Sequence, residues 1–412
     1  MSDAETAPSV LDLLEARGFI AQCTDRSALA STLNQDPVKF YVGFDPTADS
    51  LHVGHLLPVM AMYWMQQAGH IPVVVIGGGT GMVGDPSGKD KSRDFITEEA
   101  VARNIEGQRP HFGRVLSLAA SEPERAGNQG FILNNADWLL GLGYVSFLRD
   151  IGRHFSVNRM LSAESARLRL ERNQGLSFIE FNYHLLQSYD FYKLHEQYGV
   201  KLQFGGDDQW FNILGGIDLV RRMSGAEVYG FTIPLLQTAE GKKMGKTEKG
   251  AVWLDADRCS VYDYYQYWIN VSDADVIRFL KLYTTMPLDR IEPLAALRGA
   301  DVRKAKEVLA FEATKLVHGE AAASRAQATA RQLFGGRGAA NAPTVEVSLP
   351  AGILDVLRLS GLAKSNGEAR RLVKQGGVRV GDAKVSDPNF VLNDAALVWK
   401  GKKSVVQVVA KA

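Results

Sequence analysis

Five stretches of this sequence bring together the glycines and polar side chains that handle small charged molecules. The first is Asp45-Pro-Thr47-Ala-Asp-Ser-Leu-His52-Val-Gly54-His55, directly after an apolar run. On a helix, His52 and His55 share a face. A helix N-terminus offers unpaired N–H groups and the positive end of its dipole, and two imidazoles there could donate to phosphate oxygens. Gly54 removes a side chain between them, which lets a flat ligand approach the backbone. A His-x-x-His pair is also found as a structural pair or a metal site, and spacing alone does not choose. The second stretch is Gly77-Gly-Gly-Thr-Gly-Met-Val-Gly-Asp85-Pro-Ser-Gly-Lys89. It combines tight backbone approach with a carboxylate suited to an ammonium group, but its spacing is not that of a Walker loop. A plain Gly-rich turn has the same composition.

In the third stretch, Tyr183, Gln187 and Asp190 are spaced i, i+4, i+7 and stack on one helix face, with Phe181, Leu185 and Leu186 on others. A buried polar row needs partners, which a polar aromatic molecule would supply; a solvated stripe is the alternative. The fourth is Gln203-Phe-Gly-Gly206-Asp-Asp208-Gln209. Its glycines allow a ribose against the backbone, and Asp208 could accept from ribose hydroxyls. Asp207 or Asp208 could equally cap a helix. The fifth, Gly241-Lys-Lys243-Met-Gly245-Lys246-Thr247, is a cationic clamp for a polyphosphate or an ordinary exposed basic loop.

The elements that position these residues alternate between strand and helix. Lys39 to Phe44 reads as a buried strand, followed by a helix to about Ala68 whose apolar face carries Val53, Leu56, Leu57, Met60 and Trp64. Gly69 and Pro72 stop that helix, and Ile71 to Ile76 is a second buried strand. The βαβ unit implies a parallel sheet covered by helices, with ligands at the carboxyl ends of its strands. The pattern recurs at 201–223. Between the two lies a helix opened by Ser177 and Glu180 in capping-box spacing. From about Val261 to Phe334 the chain reads as helical, with Ser272 and Asp275 marking one helix start. The expected fold is α/β. A Rossmann-like parallel-sheet domain with a helical insertion spans 1–250, an all-helical domain 251–334 and a Gly-rich linker 335–350. A small α+β unit spans 351–412.

At 412 residues the chain is long enough for two or three domains. With 46% hydrophobic and 23% charged residues, it has the balance of a globular protein with a substantial core. No stretch reaches the roughly 20 apolar residues of a membrane helix, and the N-terminus lacks a basic-then-apolar signal. Cys23 and Cys259 match no zinc spacing and agree with a reducing compartment. The expectation is a cytoplasmic protein without a resident metal. Charge is uneven. From Ala351 onward, 11 Lys and Arg face 5 Asp and Glu, a net +6; the other residues carry 36 against 41, a net −5. Within that tail, Ser365 and Glu368 have capping-box spacing, and Arg370, Arg371 and Lys374 follow. Gly376-Gly377 then ends the helix, and Val378-Arg379-Val380 reads as a strand. Positive charge on a small folded platform is a phosphate-binding footprint.

Taken in order, these motifs resemble a known family. His52-Val-Gly-His55 resembles the first signature of class I aminoacyl-tRNA synthetases, and Lys243-Met-Gly-Lys-Thr247 the second. The string from Tyr41 to His55, Gly81 to Gly88, the Tyr183/Gln187/Asp190 helix and Gly205 to Gln209 resemble the bacterial tyrosyl-tRNA synthetases, over nearly the whole chain. Gly245 and Thr247 stand where class I enzymes generally have two serines, so a hydroxyl contact to phosphate is not expected at 245.

The resemblance implies a role for each position. Tyr41 and Asp190 would hold a phenolic hydroxyl. Tyr183, Gln187 and Asp85 would hold an ammonium group, with Gln209 near a carboxylate. Gly43, Asp45, Gly54, Gly206 and Asp208 would line the nucleotide. Thr47, His52 and His55 would meet its phosphates, and Lys243, Lys246 and Thr247 would close over the pyrophosphate. Phe178 would fall at a homodimer interface, and the tail would be an S4-like RNA-binding domain. Implied partners are L-tyrosine, ATP with Mg2+ and tRNA(Tyr), with no prosthetic group. A tryptophanyl-type enzyme shares the layout but has no use for Asp190 facing a hydroxyl donor. A non-catalytic RNA-binding protein would not be expected to keep every polar site residue.

Overall fold

The computed structural model describes residues 9–87, 97–122, 124–173, 175–239, 241, 244–247, 250–334, 342–381, 383–401 and 404–411. It divides into two compact units, Met1–Glu320 and Ala321–Ala412.

The first unit is built on a six-stranded sheet: β1 (Gln22–Cys23), β2 (Lys39–Phe44), β3 (Ile71–Ile76), β4 (Phe131–Asn134), β5 (Val200–Gly206) and β6 (Tyr229–Ile233). Their order is β1-β6-β5-β2-β3-β4, and all pairs are parallel except β1 with β6. From β2 the chain steps outward to β3 and β4. It then returns to the other flank of β2 with β5 and β6. The carboxyl ends of β2 and β5 are therefore a topological switch point, where an open sheet leaves a crevice. Alternation along the strands makes two faces. On one, Tyr41, Val73, Val75 and Phe131 pack against Phe191 and Leu194 of the helix Phe178–Tyr198 and Val220 of the helix Trp210–Ser224. On the other, Phe204 stacks between Phe40 and Phe231 at 5.5 and 4.4 Å, and Phe44 meets Phe112 edge-on at 4.8 Å.

The helices Val261–Ile269, Val276–Tyr283, Leu288–Ala295 and Val302–His318 belong to the same compact unit as the sheet. Fully buried Trp268 is surrounded by Tyr264, Phe279 and Tyr283. Arg17 ties three parts of the unit together. Its guanidinium lies 3.6 Å from the centre of a Trp64 ring and donates to the carbonyls of Lys281 and Met286 at 2.9 and 2.6 Å. Burial lowers its pKa to about 10. The helix start expected at Ser272 and Asp275 forms: a 3-10 turn, Asp273–Asp275, leads into Val276–Tyr283, with no side-chain cap. Asp275 is diverted to the N–H of Ala239 at 2.8 Å and to Arg278 at 2.6 Å.

In the second unit, the helices Ile353–Leu359 and Asn366–Lys374 close over a five-stranded sheet around Val356, Leu357, Val373, Val378, Val398 and Val408. Ser365 caps its helix through the N–H of Glu368 at 3.3 Å, while Glu368 reaches past Ser365 to the N–H of Lys364 at 2.8 Å. Arg370, Arg371 and Lys374 are exposed, and Arg379 lies over the Trp399 ring at 5.0 Å. Residues Thr344–Val347, expected in the linker, form a strand parallel to Ser404–Ala410. Backbone pairing outweighs the loop-like composition around them. Residues 335–341 lie outside the described residues.

Candidate active site

A cleft of about 450 Å³ opens at the switch point. All five sequence stretches reach it, the fifth through Met244. Tyr41, Gly43, Asp45 and Thr47 come from β2 and its loop, followed by His52, Gly54 and His55 from the helix start. Asp85 follows β3; Tyr183, Gln187 and Asp190 come from the long helix; Gly206, Asp208 and Gln209 come from the end of β5. Of the fifth stretch, Lys243 lies outside the described residues, as do Gly88 and Lys89 of the second; only the backbone of Lys246 and Thr247 is described.

The floor of the cleft is a buried polar pair. Tyr41 and Asp190 are 2% and 5% exposed, so the row on the helix Phe178–Tyr198 is not a solvated stripe. The Asp190 carboxylate accepts from Asn135 Nδ2 at 2.9 Å and Trp138 Nε1 at 2.7 Å. Desolvation still raises its pKa to about 7, against those two hydrogen bonds. Burial, reinforced by Asp190, pushes the Tyr41 phenol well above its ordinary range, and its hydroxyl has no hydrogen-bond partner among the described residues. A buried orphan hydroxyl costs about 1–3 kcal/mol, so this floor is built for a ligand with a polar tip. Asn135 and Trp138 carry no motif, and sequence reading passes over them. Asn135 also accepts from the N–H of Gly79 at 2.8 Å and donates to Thr80 at 2.8 Å, which anchors the Gly-rich turn.

The other end of the cleft is the start of the helix Val53–Gln67, where the two histidines form a reciprocal cap. His52 Nδ1 accepts from the N–H groups of Gly54 and His55 at 3.0 and 3.3 Å. His55 Nδ1 accepts from the N–H of His52 at 3.4 Å. An accepting nitrogen carries no proton, so each ring keeps its N–H on Nε2 as a donor. The rings stack at 3.8 Å. A Cβ on Gly54 would stand 2.8 Å from His52 Cε1, so this glycine makes room first for the capping ring. The loop before the helix is held by Gln108, which donates to the carbonyls of Asp45 and Ala48, and by Asn104, which donates to that of Pro46.

The second signature is stitched onto this helix start. The Val53 N–H donates to the Val252 carbonyl at 2.9 Å, the Leu254 N–H to that of Leu51 at 2.8 Å, and the Val252 N–H to that of Gly245 at 2.9 Å. Gly245 has φ +78°, and a Cβ there would lie 3.0 Å from the Gly54 nitrogen. Tyr267 accepts from the N–H of Gly245 at 3.3 Å and donates to the Met244 sulfur at 3.0 Å. Neither Asp207 nor Asp208 caps the turn that follows β5. Asp207 instead accepts from Gln22 and Thr232 at 2.7 and 2.6 Å, which secures the edge strand, while Asp208 faces the cleft.

The cleft thus has a buried acidic floor at one end and a histidine-capped helix start at the other. Residues 33–335 match the family model described as tRNA synthetases class I (W and Y), and residues 352–397 match the S4 domain. The chain is 51% identical to the tyrosine–tRNA ligase of Brucella suis, covering 95% of this chain and 94% of that one. It is 50% identical to that of Acetivibrio thermocellus, covering 97% and 99%. The crystal structure of a C-terminally truncated Aspergillus nidulans mitochondrial tyrosyl-tRNA synthetase superposes with a TM-score of 0.71 at 30% identity, covering 80% of this chain and 95% of that one. The chain belongs to the class I tRNA synthetases of the W and Y group, and within it to the tyrosine–tRNA ligase family.

Proposed function

We propose that this protein is a tyrosine–tRNA ligase in which the Tyr41–Asp190 floor selects the amino acid and the capped helix start promotes its activation. The observation that carries the selective half is the orphan Tyr41 hydroxyl beside the Asp190 carboxylate. A phenol satisfies both: it donates to Asp190 and accepts from Tyr41. Phenylalanine would leave the Tyr41 hydroxyl without a partner and bring Asp190 no donor. An indole could donate but offers no oxygen to accept.

The carboxylate of L-tyrosine attacks the α-phosphorus of ATP. The bond to the β-phosphate oxygen breaks, pyrophosphate leaves, and tyrosyl-adenylate remains. No protein nucleophile is required, so the site acts by positioning and by facing developing negative charge with donors. The Nε2–H groups of His52 and His55 are those donors, and the resemblance gives Lys243, Lys246 and Thr247 the pyrophosphate. Thr47 meets the phosphates from the preceding loop. Gly43, Asp45, Gly54, Gly206 and Asp208 line the adenylate, while Asp85, Tyr183, Gln187 and Gln209 face the charged head of tyrosine. Magnesium accompanies ATP as a substrate complex. A hydroxyl of the 3′-terminal ribose of tRNA(Tyr) then attacks the tyrosyl carbonyl and AMP leaves. Arg370, Arg371, Lys374 and Arg379 in the S4 unit grip the RNA backbone, and the helices of 251–334 contact the tRNA body.

The working form is a homodimer. Exposed apolar side chains cluster in one region of sequence: Tyr144 is 63%, Val145 76%, Val157 59% and Phe178 67% exposed. Apolar surface of this kind marks an interaction site. None of the described helices is long and apolar enough to cross a membrane, and a cytoplasmic location accords with this role. ATP–pyrophosphate exchange with tyrosine, phenylalanine and tryptophan tests the reading. Exchange dependent on tyrosine alone is expected. Equal exchange with tryptophan would sink it.

A further inference from the structure

A second cavity, of about 560 Å³, lies beside the first and shares Ser87, Asp208 and Leu235 with it. It has no part in the reaction described above, yet a chain of hydrogen bonds leads from it into the amino-acid site. The chain starts at His184, the residue after Tyr183. His184 Nδ1 lies 3.1 Å from Asn212 Oδ1. Asn212 Nδ2 donates to Gln209 Oε1 at 3.2 Å, and Gln209 Nε2 donates to Asp85 Oδ2 at 2.8 Å. The other Asp85 oxygen accepts from the N–H of Ser87 at 2.8 Å.

The direction of this chain is forced from its inner end. A carboxylate only accepts, so Gln209 must turn its NH2 toward Asp85 and its carbonyl toward Asn212. Asn212 must then turn its NH2 toward Gln209 and its carbonyl toward His184. His184 is left to donate from Nδ1. The amide of Asn212, 6% exposed, has no bulk water to correct a wrong orientation. The imidazole is held by packing. Its ring lies 4.4 Å from that of Phe211 and 5.4 Å from that of Phe155, and any side chain at Gly215 would collide with it. Burial lowers its pKa to about 4, which keeps the ring neutral at physiological pH.

We propose that His184 is a positioning residue for tyrosine activation: its Nδ1–H holds the Asn212 carbonyl, which keeps the Asn212 NH2 on Gln209 and Gln209 on Asp85, the carboxylate that faces the substrate ammonium group. Without that donor the Asn212 carbonyl is left buried and unpaired, and Asn212 and Gln209 are freer to leave the chain. The inference rests on the tyrosine–tRNA ligase reading, which the wild-type protein's own tyrosine-dependent exchange tests separately.

The experiment is equilibrium binding of three ligands to the full-length wild type, His184→Leu and Asn212→Asp. Tyrosine carries both charged groups, tyramine only the ammonium, and 3-(4-hydroxyphenyl)propionate only the carboxylate. Both variants should weaken tyrosine and tyramine by about three- to tenfold, the loss of about one hydrogen bond. Binding of hydroxyphenylpropionate, which has no ammonium group for Asp85 to hold, should weaken less than that of tyramine. A general distortion of the pocket would weaken all three ligands alike, and that result, or unchanged tyramine binding, would overturn the proposal.

Discussion

The two ends of the cleft are built in opposite ways. The floor is made of buried side chains locked by other side chains: Asp190 by Asn135 and Trp138, and Asn135 in turn by Thr80 and Gly79. The end proposed for the phosphates is held by backbone: a helix start capped by its own histidines, and a loop attached by main-chain hydrogen bonds and one tyrosine hydroxyl. Desolvated side chains make a selective site, because each leaves a costly orphan when the wrong ligand enters. Imidazole donors held by backbone caps suit charge that exists only briefly, because they are fixed in place before the reaction begins. On the proposed reading, recognition falls to one end and rate to the other.

The largest expected effect is at the floor. Asp190→Asn should reduce kcat/KM for tyrosine on the order of a hundredfold, since a hydrogen bond to a charged group is lost in a desolvated site. The same residue sets a pH dependence. Its carboxyl, raised to about 7 by burial, is protonated below that pH and then accepts from the phenol only as a weaker, uncharged partner. Wild-type kcat/KM for tyrosine should therefore fall about tenfold per unit as pH drops below about 7. In Asp190→Asn this slope should vanish; a variant that keeps it would detach the titration from Asp190.

A smaller effect is expected where the loop meets the helix. Gly245 has φ +78° against the Gly54 nitrogen. Alanine there costs roughly 1–2 kcal/mol in a left-handed conformation, which displaces the loop. Gly245→Ala should slow adenylate formation on the order of tenfold, by the same energy, and leave the tyrosine Kd unchanged. A raised tyrosine Kd would blur the line between the two ends. The smallest effect is expected for Tyr267→Phe, which removes one acceptor and one donor at the loop. Rapid-quench measurement of adenylate formation should show a loss of about threefold, and no loss would mean that the main-chain stitches suffice.

How much of this could be read from the sequence follows the same division. The glycine- and histidine-bearing strand ends were legible because backbone approach and helix starts demand particular residue types at fixed spacing. So was the βαβ unit, whose helix ends at Gln67 within one residue of expectation. Asn135 and Trp138 were not legible, because a side chain that orients another has no fixed spacing from it. The helix start at Ser272 was legible, but not the tertiary duty of Asp275, which serves Ala239 and Arg278. The strand Thr344–Val347 was hidden by the Gly-rich segment before it, since its partner, Ser404–Ala410, lies far along the chain. Gly54 was recognised as necessary, but the structure gives it a prior duty toward the His52 ring.

Single-turnover adenylate formation, followed at increasing tyrosine concentration in His52→Asn and Asp190→Asn, tests the division of labour most directly. Asparagine at 52 keeps an N-cap acceptor, so the helix start survives while the imidazole donor is lost. For His52→Asn, the tyrosine Kd should stay within about twofold of wild type while the rate constant falls on the order of a hundredfold. For Asp190→Asn, the Kd should rise at least about tenfold while the saturated rate constant changes far less. If both variants shift Kd and rate together, or if His52→Asn acts mainly on Kd, recognition and rate are not separated along this cleft and the account is wrong.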